Sequence, residues 1–182
     1  MSYAQRIVDA YPVDLELAQA IVDAAAAVDA DPGLLADLIN YETAETFSPT
    51  VQNPGSTAVG LIQFISKTAK GLGTSTSALL DMTALEQMVY VKTYLEGVMH
   101  TYGPLDVEWK LYMAVFYPAA ISYDTGYAFD ASVTAVNASE TVQDYVDAVQ
   151  RRSKLGALLS SSSSSGAPFL LLLLILGVAA TQ

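Results

Sequence analysis

Cysteine is absent from this chain, histidine and tryptophan occur once each, and lysine and arginine together account for only eight of its 182 residues. Without cysteine the protein has neither disulfides nor thiolate metal ligands. The single histidine, His100, lies in an amphipathic helical pattern where a lone histidine is usually structural, and we assign it no role. The sequence therefore predicts no metal site and no cofactor.

Basic residues are scarcest in the first 150 positions. Residues 1–150 contain all 19 acidic residues but only five of the eight basic ones, which gives this part a net charge of −14. A surface of that sign repels the phosphate backbone of DNA or RNA, so we expect no nucleic-acid partner.

No segment of convincing length alternates apolar and polar residues as a β-strand does. The apolar residues instead recur at steps of three and four, which is helical spacing. Only residues 122–134 combine turn and β-preferring residues, which leaves a loop or a small hairpin open there. A helix is predicted over Leu105–Phe116 and a short one over Ser66–Lys70, and others are predicted to begin at the capping residues Asp14, Asp31, Thr83 and Ser139. We therefore expect an all-α domain over residues 1–150.

Glu42 stands out because it ends an apolar helical stripe. Asp31 and Pro32 give a helix start, and Leu35, Leu38, Ile39 and Glu42 then follow at steps of three and four residues on one helical face. A carboxyl group held against apolar surface has its ionised form disfavoured and its pKa raised. This is the condition for a general acid that still carries a proton near neutral pH.

The residues around and after Glu42 form a pattern. The chain reads Glu-Thr-Ala-Glu-Thr-Phe-Ser-Pro over 42–49, Ala-Val-Gly-Leu-Ile-Gln-Phe over 58–64, and Leu-Tyr-Met-Ala-Val-Phe-Tyr-Pro-Ala-Ala over 111–120. It resembles the lytic transglycosylase domain of the lysozyme-like superfamily, in its phage-type form. The corresponding family segments are E-S-G-G-T-F-S-P, G-L-[MI]-Q and A-Y-N-A-G. The resemblance covers residues 34–120, about half of the chain.

The resemblance implies a lysozyme-like fold and a set of site residues. Glu42 takes the place of the catalytic glutamate, and Thr43, Gly60, Gln63 and Tyr117 are the expected substrate-binding residues. Glycine at position 60 allows close approach of backbone to a sugar ring, and the Gln63 amide suits an acetamido or hydroxyl group. The departures from the family pattern include Glu45 in place of a glycine and Pro118 in place of an asparagine. A like charge at Glu45 would raise the pKa of Glu42 further, unless that side chain points into solvent.

Cleavage of a β-1,4 glycosidic bond normally uses two carboxyl groups, and the motifs supply only one. In lytic transglycosylases the single glutamate first protonates the bond and then takes a proton from the C6 hydroxyl, which leaves a 1,6-anhydro sugar without consuming water. The expected partner is therefore a peptidoglycan glycan strand. Two alternatives stay open: a muramidase with a second carboxylate, for which the candidates are Asp106, Glu108 and Asp124, and an inactive structural protein that keeps the fold.

The last 32 residues differ from the rest. Residues 151–166 form an expected linker with three basic residues and six consecutive serines, and residues 167–182 form a hydrophobic end. The fully apolar part is shorter than the ~20 residues that span a bilayer as a helix, although the uncharged stretch from Leu155 is long enough. We expect a C-terminal transmembrane anchor rather than a hydrophobic plug that packs on a partner protein.

The start of the chain shows no hydrophobic signal region. A wall-cleaving enzyme delivered within a phage particle needs none. The sequence therefore predicts a virion-associated protein, attached to a virion membrane or to capsid proteins by its tail, that opens the host cell wall during phage entry.

Overall fold

Helices and the segments that connect them make up the protein in the computed structural model, which describes residues 1–134 and 139–159. Within these ranges no β-strand occurs, only isolated bridges such as that between Val59 and Phe64. The expected all-α class is confirmed. The helices are α1 Tyr3–Ala10, α2 Leu15–Ala26, α3 Pro32–Glu42, α4 Ser66–Gly71, α5 Thr76–Leu80, α6 Ala84–Tyr102, α7 Glu108–Phe116, a 3-10 helix Pro118–Ser122, α8 Ala131–Thr134 and α9 Val142–Gln150.

Side-chain caps fix most helix starts where the sequence predicts them. Asp14 accepts from the Leu17 N–H, Asp31 accepts from the Gly33 and Leu34 N–H groups, and Thr83 forms a complete capping box. These three starts are confirmed. An N-cap bond satisfies an amide that would otherwise lack a partner in the first helical turn, which is why these positions fix the boundary.

Two predicted starts are wrong. The last helix begins at Val142 rather than after Ser139, because the capping box is built by Thr141 and Asp144. Helix α7 begins at Glu108 rather than Leu105, because the Leu105 N–H bonds to the Val28 carbonyl 3.1 Å away and joins two connections. The region 122–134 contains the short α8 and one bridge from Ala128 to Thr141 instead of a hairpin.

Helix α3 is the centre of the fold. Its residues from Pro32 to Asn40 are all buried, and it packs against α1, α2, α7 and α9. A helix that is buried on every side can carry a carboxyl group in only two kinds of position. Either the group has hydrogen-bond partners, or it lies where the helix leaves the core. Asp37 illustrates the first case and Glu42, at the last residue of α3, the second.

A segment after α9, residues 153–159, lies along α3 and is called here the C-terminal strap. Asp37 is fully buried and accepts from the Ser153 hydroxyl at 2.5 Å and from the Gly156 N–H at 2.8 Å. Asp31 accepts from the Leu158 and Leu159 N–H groups at 2.8 and 2.5 Å, and the Leu158 side chain is fully buried. Residues that we expected to open a linker at 151 therefore lie against the helical domain as far as Leu159.

The strap fits closely because of a glycine. A Cβ atom at Gly33 would lie 2.2 Å from the Gly156 carbonyl oxygen, so a side chain there would displace the strap. Within residues 1–134 and 139–159, no helix combines the length and apolar character that a membrane span requires. The expected anchor, residues 167–182, and the serines of the expected linker lie outside the described residues.

Candidate active site

Glu42 is placed at the point where α3 leaves the core. Its side chain is partly buried, and burial raises the pKa of its carboxyl, while a hydrogen bond from Tyr145 acts in the opposite direction. The C-terminal end of a helix carries partial negative charge, which also disfavours a carboxylate. The raised pKa expected from the apolar stripe is therefore found, with burial as its main cause.

Tyr145, from α9, is the residue that meets Glu42. Its hydroxyl donates a hydrogen bond to Glu42 Oε1, and its ring is buried. The ring stacks on Phe116 with centroids 4.3 Å apart and planes at 14°, and meets the Tyr41 ring edge-on at 5.6 Å. Burial and the neighbouring Glu42 charge hold the pKa of Tyr145 well above its usual value, so its hydroxyl keeps its proton.

Sequence reasoning missed this role for Tyr145. Tyr145 shares helical spacing with Val142, Val146 and Val149, so in the sequence it looks like an ordinary core residue. No short-range signal connects it with Glu42, because 103 positions separate the two residues. Only the packing of α9 beside the end of α3 brings them together.

Tyr117, the tyrosine expected at the site, follows α7 as its C-cap residue and is partly buried. Its ring lies edge-on to Phe129 at a centroid distance of 5.8 Å. Its neighbour Phe116 is the residue of this segment that stacks on Tyr145. The third motif therefore reaches the surroundings of Glu42 through Phe116.

Thr43 has a structural position. Its side chain is fully buried, and its hydroxyl donates to the Ile39 carbonyl at 2.7 Å and accepts from the Phe47 N–H at 3.0 Å. We expected it to hold the Glu42 carboxyl or bind substrate. In the structure its hydroxyl instead ties the turn after α3 to the last turn of the helix.

The turn formed by residues 44–47 has left-handed backbone at three positions. The φ angles are +49° at Ala44, +69° at Glu45 and +53° at Phe47. Side chains are disfavoured in this region and glycine adopts it freely. In the family segment E-S-G-G-T-F-S-P, glycines stand at the positions of Ala44 and Glu45. The chain thus adopts at these positions a backbone form for which glycine is the usual residue.

Gly60 also adopts a left-handed conformation, with φ at +79°, and it is buried. A Cβ atom there would lie 2.3 Å from Gln87 Oε1. The close approach that we expected to a sugar ring is, in the structure, an approach to a glutamine side chain. Gln63 is partly buried, and its amide donates to the Gly60 carbonyl at 3.0 Å.

Gln87 is the second important residue that sequence reasoning missed. It is fully buried in α6, where its carbonyl oxygen accepts from the Leu61 N–H at 3.0 Å. Its amide donates to the Pro49 carbonyl at 2.8 Å and to the Leu79 carbonyl at 2.7 Å. Pro49 ends the first motif and Leu61 lies in the second, so one side chain joins the two motifs. The signal available in the sequence was a polar residue at a position of α6 whose helical spacing matches its apolar residues Val91 and Leu95.

The three candidate second carboxylates have other partners. Asp106 pairs with Lys110 at 3.2 Å, Glu108 accepts from the Gln150 amide at 2.8 Å, and Asp124 accepts from the Gly126 N–H at 2.8 Å. Glu108 opens α7 while Phe116 ends it, which separates Glu108 from the Tyr145 contact by about 12 Å along the helix axis. Within the described residues, no group of three or more potential ligands could hold a metal ion.

A pocket of about 350 Å³ opens beside Tyr145, the partner of Glu42. Its walls include Tyr41 and Tyr145 as well as the charged residues Asp144, Asp147, Arg151 and Arg152. We call it the α9 pocket. The Arg152 guanidinium lies over the Tyr41 ring, 5.3 Å from its centroid, and its Nε is 3.9 Å from Glu45 Oε1.

Comparison of the chain with protein-family models, with curated proteins and with solved structures finds no match.

Proposed function

We propose that this protein is a peptidoglycan lytic transglycosylase that cleaves the β-1,4 bond between N-acetylmuramic acid and N-acetylglucosamine, with Glu42 as acid and base. The observation that supports it best is the Glu42 carboxyl, whose pKa is raised by burial and which is oriented by the Tyr145 hydroxyl. A proton retained near neutral pH is the first requirement of this reaction.

The geometry suits both halves of the reaction. With Oε1 accepting from Tyr145, the proton of the neutral carboxyl resides on Oε2 and is transferred to the leaving glycosidic oxygen. The C1–O bond then breaks, and the 2-acetamido oxygen of the muramoyl ring stabilises C1. The Glu42 carboxylate next removes the C6 hydroxyl proton, and O6 bonds to C1 to form the 1,6-anhydro ring. Glu42 ends protonated, ready for another cycle.

The tyrosine hydrogen bond stabilises the carboxylate between these steps. A hydrogen bond to the charged form favours that form, whereas burial disfavours it. The two effects oppose each other at Glu42, and burial is the larger. A carboxyl balanced in this way can both give and accept a proton in one catalytic cycle.

The two catalytic outcomes leave different products. Incubating peptidoglycan with the full-length protein should release anhydro-muropeptides, identified by mass spectrometry, and Glu42→Gln should release none. Reducing-end products that depend on Glu42 would instead indicate a muramidase. Glu140→Gln, an exposed carboxylate near the start of α9, is the matched control and should act as the wild type does.

A structural role is the second candidate, and one observation favours it. The Thr43 hydroxyl, the space at Gly60 and the Gln63 amide are all engaged within the protein. An inactive protein that keeps the fold would retain these contacts. Wild-type protein that is folded but releases no fragments from accessible peptidoglycan would support this role.

For its setting, we propose a phage virion, with attachment through the C-terminal tail to a membrane or to capsid proteins, and action on the host cell wall during entry. The proposal is supported by the sequence alone. Mass spectrometry of purified particles tests it, and absence from particles combined with presence in the host envelope would contradict it.

A further inference from the structure

The α9 pocket shares one wall residue, Tyr145, with the proposed catalytic pair, and Glu42 is not among its lining residues. Tyr41 precedes Glu42 in the chain, Tyr145 donates to its carboxyl, and both rings line the pocket. Anything bound there would therefore contact Tyr145, the residue that orients the Glu42 carboxyl. Its volume of about 350 Å³ falls within the range of ~300–1,000 Å³ that is usual for small-ligand sites.

The charges around the pocket are unusual for this protein. Residues 1–150 carry a net charge of −14, yet Arg151 and Arg152 lie side by side at the end of α9 and both line the pocket. Both arginines act on Tyr41, where they lower a pKa that burial and the Glu42 charge raise. Their positive potential therefore extends to the residue next to the catalytic carboxyl.

The acidic residues of the pocket are already engaged by nearby groups. Asp144 accepts from the Thr141 N–H at 2.9 Å as part of the capping box, and Asp147 accepts from the Gln143 amide at 2.7 Å. Arginine carries five donors in a planar arrangement that matches a carboxylate. The donors offered by Arg151 and Arg152 thus make a carboxylate the complementary ligand.

We infer that the α9 pocket binds the peptide stem of the muramoyl residue at the cleavage point, with Arg151 and Arg152 holding the stem carboxylates. The inference rests on the proposed function. The sugar rings of a glycan strand are uncharged, whereas the peptide attached to the lactyl group of each muramoyl ring carries carboxylates. A pocket that adjoins Tyr145 and carries two guanidinium groups therefore complements the stem rather than the glycan. It also gives a strongly acidic protein one local cationic contact with an acidic polymer.

The test compares two ligands that differ in one charge: an N-acetylmuramoyl dipeptide with a free terminal carboxylate and the same compound amidated at that position. Calorimetry with the full-length protein should show about fivefold tighter binding of the carboxylate form. Arg151→Gln should reduce this preference, because one of the two guanidinium groups is removed while the Arg152–Tyr41 contact stays in place. Lys92→Gln, on α6, is the matched control and should keep the preference.

Equal affinity for the two ligands, or a preference that is unchanged in both Arg151→Gln and Arg152→Gln, would overturn the inference. The binding measurement requires no cleavage, so the two proposals fail separately. Carboxylate preference without anhydro products would contradict the transglycosylase alone. Anhydro products without carboxylate preference would contradict the stem pocket alone.

Discussion

The Tyr145 hydroxyl donates a hydrogen bond to the Glu42 carboxyl across a sequence separation of 103 residues. This contact joins the last described helix, α9, to the end of the central helix α3, and it holds the proposed catalytic group in one orientation. Because Glu42 also has its pKa raised by burial, the contact has measurable consequences for both stability and pH dependence.

Replacing Glu42 with glutamine should stabilise the fold at neutral pH. A carboxyl whose pKa is raised on folding contributes stability below its unfolded value of 4.5, and that contribution is lost as the pH rises through the folded value. The loss amounts to about 1.4 kcal/mol for each unit of raised pKa. Glutamine removes the ionisation while its carbonyl can still accept from Tyr145. In urea unfolding, Glu42→Gln should therefore have a higher free energy of unfolding than the wild type at pH 7 and the same value at pH 4. A difference in unfolding free energy that stays constant across this range would contradict burial as the cause.

Replacing Tyr145 with phenylalanine should raise the pKa of Glu42 further. The ring stack on Phe116 is kept, but the hydrogen bond that favours the carboxylate is removed. The variant should lose about 0.5–1.5 kcal/mol of unfolding free energy below the pKa of Glu42, the usual value for a hydrogen bond between neutral groups, and about 1.5–3 kcal/mol above it, where the acceptor is charged. NMR titration of ¹³C-labelled glutamate measures the shift directly. Tyr94→Phe, which removes a bond to the uncharged Ala114 carbonyl, should leave the Glu42 titration unchanged.

Substituting Gly60 with alanine should destabilise the protein by about 2 kcal/mol or more. The left-handed backbone is strained for any side chain, and the new Cβ would overlap the Gln87 amide. Combined with Gln87→Ala, the change should cost less than the sum of the two single changes, because one of them removes the overlap. Gly97→Ala, in the middle of α6 with open space around it, should instead stabilise by about 0.5–1 kcal/mol. Additive costs in the double variant would argue against the contact.

Ala44→Gly should stabilise the turn after Glu42. Left-handed backbone costs a residue with a side chain about 1–2 kcal/mol, while glycine loses about 0.4–1 kcal/mol through greater freedom in the unfolded chain. A net gain of about 0.5–1 kcal/mol follows, and thermal unfolding would detect it. Gly73→Ala is the reverse experiment, since Gly73 has φ at +76° and an uncrowded Cβ position. The Gly73→Ala variant should be less stable than the wild type by about 1 kcal/mol. A gain in stability for this variant would contradict the strain argument.

Asp37→Asn should loosen the C-terminal strap. The asparagine NH2 replaces one of the two carboxylate oxygens, so its donors would face either the Gly156 N–H, which bonds to Oδ2, or the Lys154 N–H, which bonds to Oδ1. A loss of about 3 kcal/mol is expected, together with faster trypsin cleavage after Lys154. Asp9→Asn, at an exposed position, is the control and should change neither. Unchanged cleavage after Lys154 in Asp37→Asn would contradict the role of Asp37 in holding the strap.

Local signals account for the parts of the fold that the sequence could predict. The caps at Asp14, Asp31 and Thr83 act within one helical turn, so their residues alone determine those starts. The apolar stripe ending at Glu42 is local in the same sense. By contrast, the start of α7 depends on a bond between Leu105 and Val28, which no nearby residue encodes.

The candidate site divides in the same way. Glu42 could be found from its own helix and from the motif that follows it. The partners Tyr145 and Gln87 could not, because each acts across elements that meet only after packing. In the sequence, Asp37 is a charged residue within an apolar part of its helix. Its carboxylate accepts hydrogen bonds from Ser153 and Gly156 of the strap, which lie more than 110 positions later in the chain.

The strap also determines where mechanical load enters the domain. It begins directly after Arg152, whose carbonyl accepts from Asn40 near the end of α3, and it runs back to Leu159, whose N–H is held by Asp31 at the start of that helix. The 11 residues of α3 measure about 16 Å. Tension on the chain beyond Leu159 is therefore applied first at the end of α3 farthest from Glu42, and the Asp31 and Asp37 contacts must yield before that pull reaches the carboxyl.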